Sequence, residues 1–450
     1  MKKQEVSFVL FGGTGDLTKR KIVPALANLI HQGKIRDDST IIGISRKKIS
    51  DEEYKKFLLD SVKEDRDKSY IKKLDIKFFT GDFTKSGLSG LKELIEKSEK
   101  PGCSRIYYLS TSFKFFPDIV KELKSQNLHK KNQAFTRIVF EKPFGKDLKS
   151  SENLDKEIHK VFLEENVFRL DHYLAKETVQ NLNVLKFTNP LLYSTFNKEY
   201  IESIEIIVDE DQGVENRIEY YNDAGAIKDM FQSHLLQVLS LLLMEMPSAL
   251  VYDKIHDEKV KILKNLEILQ SKHHLLGQYE SYEKEAKVSG LNKSKIETFA
   301  KIELNCKIKK WDSVKLILRT GKKLKRKFGQ IIIKFKPMKN NGNHLANIAD
   351  NKIIIDIYPK QDVSIFMNTR SPEFYNQVKQ AKFEFCRECE FGPNTMNEYA
   401  TLLHEVIKGD KTLFTRSDEV KESWKIVERI EKMRDQIKFI KYKDNSNPEE

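Results

Sequence analysis

Val6-Ser7-Phe8-Val9-Leu10-Phe11-Gly12-Gly13-Thr14-Gly15-Asp16-Leu17 decides the fold. An uncharged, mostly apolar run feeds a glycine-rich turn, and a helix is expected from about Leu17. That is the opening of a βαβ unit. Glycines permit the tight turn and let backbone approach a pyrophosphate, while the helix N-terminus offers free N–H groups and a positive dipole end. Thr18 stands where the last glycine of a G-x-G-x-x-G pattern would be. The weight of the signal therefore comes from its place at the first strand–helix junction. Gly12, Gly13, Thr14, Gly15, Asp16 and Leu17 are the expected nucleotide cradle.

Outward from this turn, apolar runs recur at Thr40-Ile41-Ile42-Gly43-Ile44, Ile76-Lys77-Phe78-Phe79, Ile106-Tyr107-Tyr108-Leu109, Arg137-Ile138-Val139-Phe140 and Val167-Phe168-Arg169-Leu170. Stretches with helical spacing and charged faces separate them. Parallel strands covered on both faces read as such continuous runs. After about residue 171 the pattern changes. A strand is expected at 204–208, a long apolar helix near 227–246, then strands at 300–308, 313–319, 329–336, 352–357, 362–367 and 381–386, and helices near 395–407 and 417–436. The expected fold is α/β: a Rossmann-like parallel-sheet domain over 1–171, then a larger α+β domain over 172–450 with a mainly antiparallel sheet. The last residues, 443–450, read as a frayed tail.

Composition fits this division. The 450 residues are too many for one ordinary domain, and 39% hydrophobic residues suffice for two cores. The net charge of +13 favours anionic ligands. The lysines are scattered and no nucleic-acid motif occurs, so no nucleic-acid partner is expected. The most apolar run, Leu235 to Met246, is broken by Gln237, Ser240 and Glu245 and is too short to span a bilayer, so no membrane partner is expected. Met1-Lys2-Lys3-Gln4-Glu5 leads into the first strand, not into a cleavage site, and the cytoplasm is the expected compartment. Cys386-Arg387-Glu388-Cys389 has metal or redox spacing, but no second pair or nearby histidine completes it. It reads as two incidental thiols, and no metal is expected.

Polar clusters follow several of the strands. Ser45-Arg46-Lys47-Lys48 ends the second one, where an NAD site would place an acid for the ribose 2′-hydroxyl. Arg46 instead suits a 2′-phosphate, so NADP is the expected cofactor, with use of NAD left open. Lys142, in Glu141-Lys142-Pro143-Phe144-Gly145, lies at a strand's carboxyl end and reads either as a surface lysine before a turn or as one that can bridge a sugar hydroxyl and the nicotinamide. Arg169-Leu170-Asp171-His172-Tyr173-Leu174-Ala175-Lys176-Glu177 packs acid, base and phenol together at another strand end, where a polar cluster is placed to meet a substrate. His234, in a buried helix, reads either as a satisfied core histidine or as a general base, for which Asp171 is the candidate carboxylate. Gly321-Lys322-Lys323-Leu324-Lys325-Arg326-Lys327 reads as a solvated charge run or as lysines for an anionic substrate.

These motifs stand in the order and rough spacing of the glucose-6-phosphate dehydrogenase family, which the chain resembles from its first strand through Leu413-Phe414-Thr415-Arg416 and Trp424. The resemblance implies oxidation of glucose 6-phosphate at C1 to 6-phosphoglucono-δ-lactone with hydride transfer to NADP⁺, the first oxidative step of the pentose phosphate pathway. It implies His234 as base and Asp171 as its orienting carboxylate. Lys142, His172, Tyr173, Lys176, Glu210, Asp229, Lys322 and Lys327 would bind substrate, and Arg46 and Lys142 the cofactor. It also implies a homodimer or dimer of dimers built on the second sheet. The chain departs from the family at Leu109-Ser110-Thr111-Ser112-Phe113, where a Leu-Pro-Pro or similar turn is usual. It departs also at Glu210-Asp211-Gln212-Gly213, where Glu-Pro-Phe-Gly is usual, and at Ala175, where glycine is usual. A dehydrogenase of another aldose phosphate, or a catalytically silent nucleotide-binding homologue with a regulatory role, are the alternatives.

Overall fold

The computed structural model describes residues 5–449 apart from 85, 132–133, 250, 292–294, 338–347, 373–376 and 393–395. The leading Met1–Gln4 of the expected first-strand lead-in, and Glu450 of the expected tail, lie outside the described residues. Two compact units divide the chain: Met1–Ala175 with Val251–Asp253 and Met396–Val420, and Lys176–Leu250 with Lys254–Thr395 and Lys421–Glu450.

In the first unit the apolar runs are β1 (Val6–Phe11), β2 (Thr40–Ser45), β3 (Asp75–Thr80), β4 (Ser104–Leu109), β5 (Thr136–Glu141) and β6 (Val167–Leu170). They pair in parallel in the order β6-β5-β4-β1-β2-β3. All six residues of β1 and β2 are buried, as sheet strands covered on both faces must be. The chain winds outward from β1 to β3 and then returns to lay β4 against the other side of β1. This order reversal opens a crevice beyond the carboxyl end of β1, where α/β sheets take ligands. The glycine turn sits there.

A short strand, Phe414–Thr415, adds antiparallel to the outer edge of β6. The helix before it, Glu398–Lys408, sends Leu402, Leu403 and Val406 into the same core as Leu26, Leu29 and Tyr54. Arg137 caps the end of that helix, donating from Nη1 to the carbonyls of Val406 at 2.6 Å and Ile407 at 2.7 Å. The buried Lys411 pairs with Glu164 at 3.2 Å.

The second unit is built on β7 (Ile201–Asp209), β8 (Leu266–Ile268), β9 (Leu275–Tyr279), β10 (Phe299–Cys306), β11 (Lys315–Gly321), β12 (Phe328–Phe335), β13 (Lys352–Tyr358), β14 (Val363–Arg370) and β15 (Val378–Phe385). The order is β15-β14-β13-β12-β7-β11-β10-β9, closed by the strand Lys438–Tyr442, with β8 also on β10. Pairing is antiparallel except for β7 with β11 and β9 with Lys438–Tyr442. β12 and β13 alternate buried and half-exposed residues, the pattern of a sheet with one face in a core. No helix among the described residues is long and apolar enough to cross a membrane.

Two expectations are corrected. The tail is fastened, not frayed: Asp444 accepts from the Ser281 N–H at 3.2 Å, Asn445 donates to the Lys323 carbonyl at 2.8 Å, and Glu449 pairs with Arg319 at 3.0 Å. Cys386 and Cys389 form a disulfide across the first turn of the helix Arg387–Phe391. Helical winding there brings the two Cα atoms to 5.3 Å, within bridging range.

Candidate active site

Gly12 has φ +84°, and a Cβ there would lie 2.5 Å from the Ser110 carbonyl oxygen. A Cβ on Gly13 would lie 2.8 Å from the Gly43 Cα. Only glycine fits either place. Thr18, in the position of the absent third glycine, is buried and donates from Oγ1 to the Gly12 carbonyl at 3.2 Å. Ser110 Oγ lies 3.2 Å from Thr18 Oγ1 and donates to the Phe11 carbonyl at 2.8 Å. The departures from pattern at Thr18 and at the 109–113 turn thus meet as one hydrogen-bonded brace. The helical ladder over Thr18–Ile22 is π-wound, which widens the first turn. Thr14 Oγ1 reaches Ser45 Oγ at 3.0 Å, tying the turn to the end of β2, and the next residue, Arg46, is exposed. The Asp82 carboxyl sits below its ordinary range, chiefly through Thr84 and in part through Arg46.

Lys142 follows β5, and its bond to Pro143 is cis. Glu141, which carried no role in the sequence reading, is the last residue of β5 and accepts from the Tyr108 hydroxyl. Burial pushes its carboxyl up to about 7, against the pull of Tyr108 and Lys142. At the end of β6, Asp171 is wholly buried and accepts from the Tyr173 N–H at 3.0 Å, a local turn that fixes the carboxylate at the strand end. The His172 and Tyr173 rings lie 5.0 Å apart.

In the second unit Lys176 is the N-cap of the helix Glu177–Phe187, with its ammonium 5.3 Å over the Tyr358 ring. Charge and helix dipole there favour the same kind of ligand, an anion. Parallel pairing of β7 with β11 sets Asp209 opposite Gly321, so Glu210 and Lys322 leave the sheet side by side and form an ion pair. Asp229 Oδ2 is 4.0 Å from the same ammonium, and the Tyr220 hydroxyl donates to Asp229 Oδ1 at 3.4 Å. Glu210, Asp229 and Lys322 are therefore brought together. Lys327 is exposed just before β12 and makes no ion pair among the described residues.

Asp229 and His234 ride on a nine-residue π-helix, Ile227–Leu235, that continues into the α-helix Leu236–Leu243. Both residues are buried. In an α-helix residues five apart are separated by about 140° around the axis, at 3.6 residues per turn. The i→i+5 ladder places them one turn apart on a shared face. The winding thus turns the acid and the imidazole the same way.

The start of this π-helix exposes a residue that sequence reasoning passed over. Glu297 is wholly buried, and its Oε1 accepts from the Ile227 N–H at 3.0 Å. Its backbone carbonyl accepts from Ala226 at 2.9 Å, and its carboxylate pairs with Arg434. Gly225, at φ +65°, makes room for it: a Cβ there would lie 2.3 Å from Glu297 Oε1. The sequence signal was Gly225 within Asp223-Ala224-Gly225-Ala226, a helix break just before Asp229.

A switch-point crevice with a glycine cradle, a basic residue after β2, and in the second unit a buried histidine on one π-helix with the Lys322-paired Asp229 are the marks of a dinucleotide-dependent oxidoreductase. Two family profiles match, the glucose-6-phosphate dehydrogenase NAD binding domain over residues 9–181 and its C-terminal domain over 183–450. The chain belongs to the glucose-6-phosphate dehydrogenase family. It is 35% identical to glucose-6-phosphate 1-dehydrogenase of Borreliella burgdorferi, covering 96% of this chain and 93% of that one. The Bacillus subtilis enzyme is 33% identical, over 94% and 90%. Among solved structures, a glucose-6-phosphate dehydrogenase in complex with its substrate glucose-6-phosphate superposes with a TM-score of 0.90 at 29% identity, over 99% of this chain and 96% of that one. The Mycobacterium avium enzyme gives 0.85 at 26%, over 99% and 95%.

Proposed function

We propose that the protein oxidises glucose 6-phosphate at C1 to 6-phosphoglucono-δ-lactone, with NADP⁺ as hydride acceptor. The observation that carries this reading is the Glu210–Lys322–Asp229 group, set one π-turn from a buried His234 in a chain of this family. The cofactor fits the first unit: the glycine cradle excludes side chains where a pyrophosphate backbone must pass, and Arg46 at the end of β2 supplies a fork for the 2′-phosphate. When bound, the nicotinamide supplies the hydride acceptor. Gly12 to Leu17 and Arg46 hold the dinucleotide, and Lys142 orients sugar and cofactor.

His234 accepts the proton of the C1 hydroxyl on a ring nitrogen as the C1 hydride departs, leaving the C1–O double bond of the lactone. Asp171 is the carboxylate of that step. Burial of His234 keeps water from competing for the proton. Glu210 and Asp229 accept from sugar hydroxyls. His172, Tyr173, Lys176 and Lys327 serve the phosphate, and Lys322 is the second substrate lysine.

We further propose a homodimer or dimer of dimers in the cytoplasm. The oligomer is supported by the apolar surface on β14 and β15, where Met367 is 47%, Phe383 59% and Phe385 39% exposed, and the compartment by relatives named as cytoplasmic enzymes.

The test pairs glucose 6-phosphate or free glucose with NADP⁺ or NAD⁺ and follows reduced nicotinamide. Rapid reduction of NADP⁺ by the phosphorylated sugar is expected. In His234→Asn, turnover should fall by at least about 100-fold, the lower range for a general base, with glucose 6-phosphate binding retained. Near-normal turnover would remove His234 from that role, and no reduction with any pair would favour a silent homologue.

A further inference from the structure

The turn that displays Lys322 is fastened at nearly every backbone group. Gly321 O accepts from the Glu210 N–H at 2.9 Å, and the Lys322 N–H donates to Thr298 O at 2.8 Å. The Lys323 N–H donates to Gln212 O at 2.9 Å, the Leu324 N–H donates to Glu210 O at 2.9 Å, and Lys323 O accepts from Asn445 at 2.8 Å. The remaining carbonyl, that of Lys322, accepts from the Tyr442 hydroxyl at 2.7 Å. Tyr442 is 4% exposed, so its hydroxyl was removed from water to make this bond. Phenylalanine would fill the same space without that desolvation. The hydroxyl is also one link in a relay: the Tyr279 N–H donates to Thr298 Oγ1 at 3.0 Å, and Thr298 Oγ1 lies 2.8 Å from the Tyr442 oxygen. Chained bonds of this kind polarise and stiffen one another.

The neighbouring residue is held as firmly. Lys323 has φ +53°, left-handed for a side-chain-bearing residue. Its ammonium reaches Ser281 Oγ at 2.8 Å, Glu285 Oε1 at 2.9 Å and Asp444 Oδ2 at 3.2 Å. Two residues of the C-terminal segment, Tyr442 and Asp444, thus grip the turn on consecutive lysines. What emerges from the clamp is the Lys322 side chain, 12% exposed, paired with Glu210 and lying 4.0 Å from Asp229.

We propose that Tyr442 is a positioning residue for substrate binding: through the Lys322 carbonyl it aims the Lys322 ammonium, with Asp444 supporting the same turn through Lys323. The proposal rests on the reading of Lys322 as a substrate lysine. It makes the end of the strand Lys438–Tyr442 and the residues that follow it part of the binding machinery, although none of them need touch substrate.

A double-mutant cycle tests it, with Kd for glucose 6-phosphate by calorimetry and KM by NADP⁺ reduction. Tyr442→Phe should raise Kd and KM for glucose 6-phosphate by about three- to tenfold, the range of one net hydrogen bond, with KM for NADP⁺ unchanged. In a Lys322→Ala background the same substitution should add less than about 1.5-fold, because coupled residues are non-additive. Unchanged Kd in Tyr442→Phe overturns the proposal, and so does an equal loss in both backgrounds. Unchanged Kd in Lys322→Ala alone refutes the reading of Lys322 itself. Asp444→Asn repeats the cycle from the other grip, with a smaller rise of about two- to threefold expected, and decides the question should Tyr442→Phe not fold.

Discussion

Replacing Glu297 with alanine should loosen the segment that carries Asp229 and His234. The carboxylate accepts from the first N–H of the π-helix, a bond to a charged acceptor worth about 1.5–3 kcal/mol. Its loss also strips a charge partner from Arg434, which is 23% exposed. Removing one member of a buried pair costs about 3–5 kcal/mol. Arg434 keeps Glu431 at 3.3 Å and the Lys295 carbonyl at 3.1 Å, which places the combined loss at about 3–5 kcal/mol and not at the sum of both ranges. At about 2–4 °C per kcal/mol for a unit of this size, Tm should fall by about 6–20 °C. Glu297→Gln keeps an acceptor for Ile227 and loses only the charge, so its Tm should lie between. Thermal melts by circular dichroism give the stability, and kcat/KM at 25 °C, below either transition, gives the consequence for the site. A Tm shift under about 3 °C in the alanine variant would refute the energetic argument. A full Tm loss with unchanged kcat/KM would refute the link from Glu297 to the two residues on the π-helix.

Three further outcomes are expected. Gly12→Ala, which forces a Cβ to 2.5 Å from the Ser110 carbonyl, should raise KM for NADP⁺ more than about tenfold; Gly90→Ala, at φ +86° with open space around it, should cost only the left-handed strain of about 1–2 kcal/mol and leave the cofactor untouched. Arg46→Ala should raise KM for NADP⁺ by about ten- to a hundredfold while leaving KM for NAD⁺ within about twofold, and equal effects on both would remove Arg46 from the 2′-phosphate. Asp155 and Glu164 push His159 from 6.5 up to about 10, so their stabilisation is complete below about pH 6.5 and disappears as pH rises through about 10. The group is substantially exposed and screening reduces the effect to about 1 kcal/mol, so His159→Gln should lower Tm at pH 6 and match the parent near pH 10.5; a constant difference across that range would contradict the assignment.

The first unit was largely legible in the sequence because its strands are covered on both faces and announce themselves as unbroken apolar runs. The carboxyl-end motifs followed directly, since a polar residue after such a run lies at a strand end. The second unit was less legible. β9, Leu275-Leu276-Gly277-Gln278-Tyr279, is almost wholly buried yet carries a glycine and a glutamine in its middle, so neither alternation nor an apolar run marks it. The π-winding of Ile227–Leu235 left no trace because all of its residues but Lys228 are buried, polar and apolar alike, so no apolar stripe marks one helical period over another. Glu297 was invisible for a different reason: its partners, Ile227 and Arg434, are distant in sequence, and spacing carries no information about them. The fastened tail likewise depends on turn residues 281 and 323, far upstream. The disulfide escaped because a single Cys-x-x-Cys is equally consistent with separate thiols.

The antiparallel Phe414–Thr415 strand has a consequence for synthesis. The first unit is completed only by residues 396–420, so a ribosome that has made its first 175 residues has not yet made all of it. At about 5–20 residues per second, roughly 10–45 s of elongation separate the two pieces. During that interval the outer edge of β6 lacks its antiparallel partner, and the helix Val23–His31, although already packed on the helix Asp65–Lys73, lacks its cover from Glu398–Lys408. Unpaired strand edges template aggregation, so this is the period in which the emerging polypeptide most needs a chaperone. For the same reason, a recombinant fragment cut near residue 175 should be poorly soluble on its own and should gain solubility when a peptide spanning 396–420 is supplied in trans.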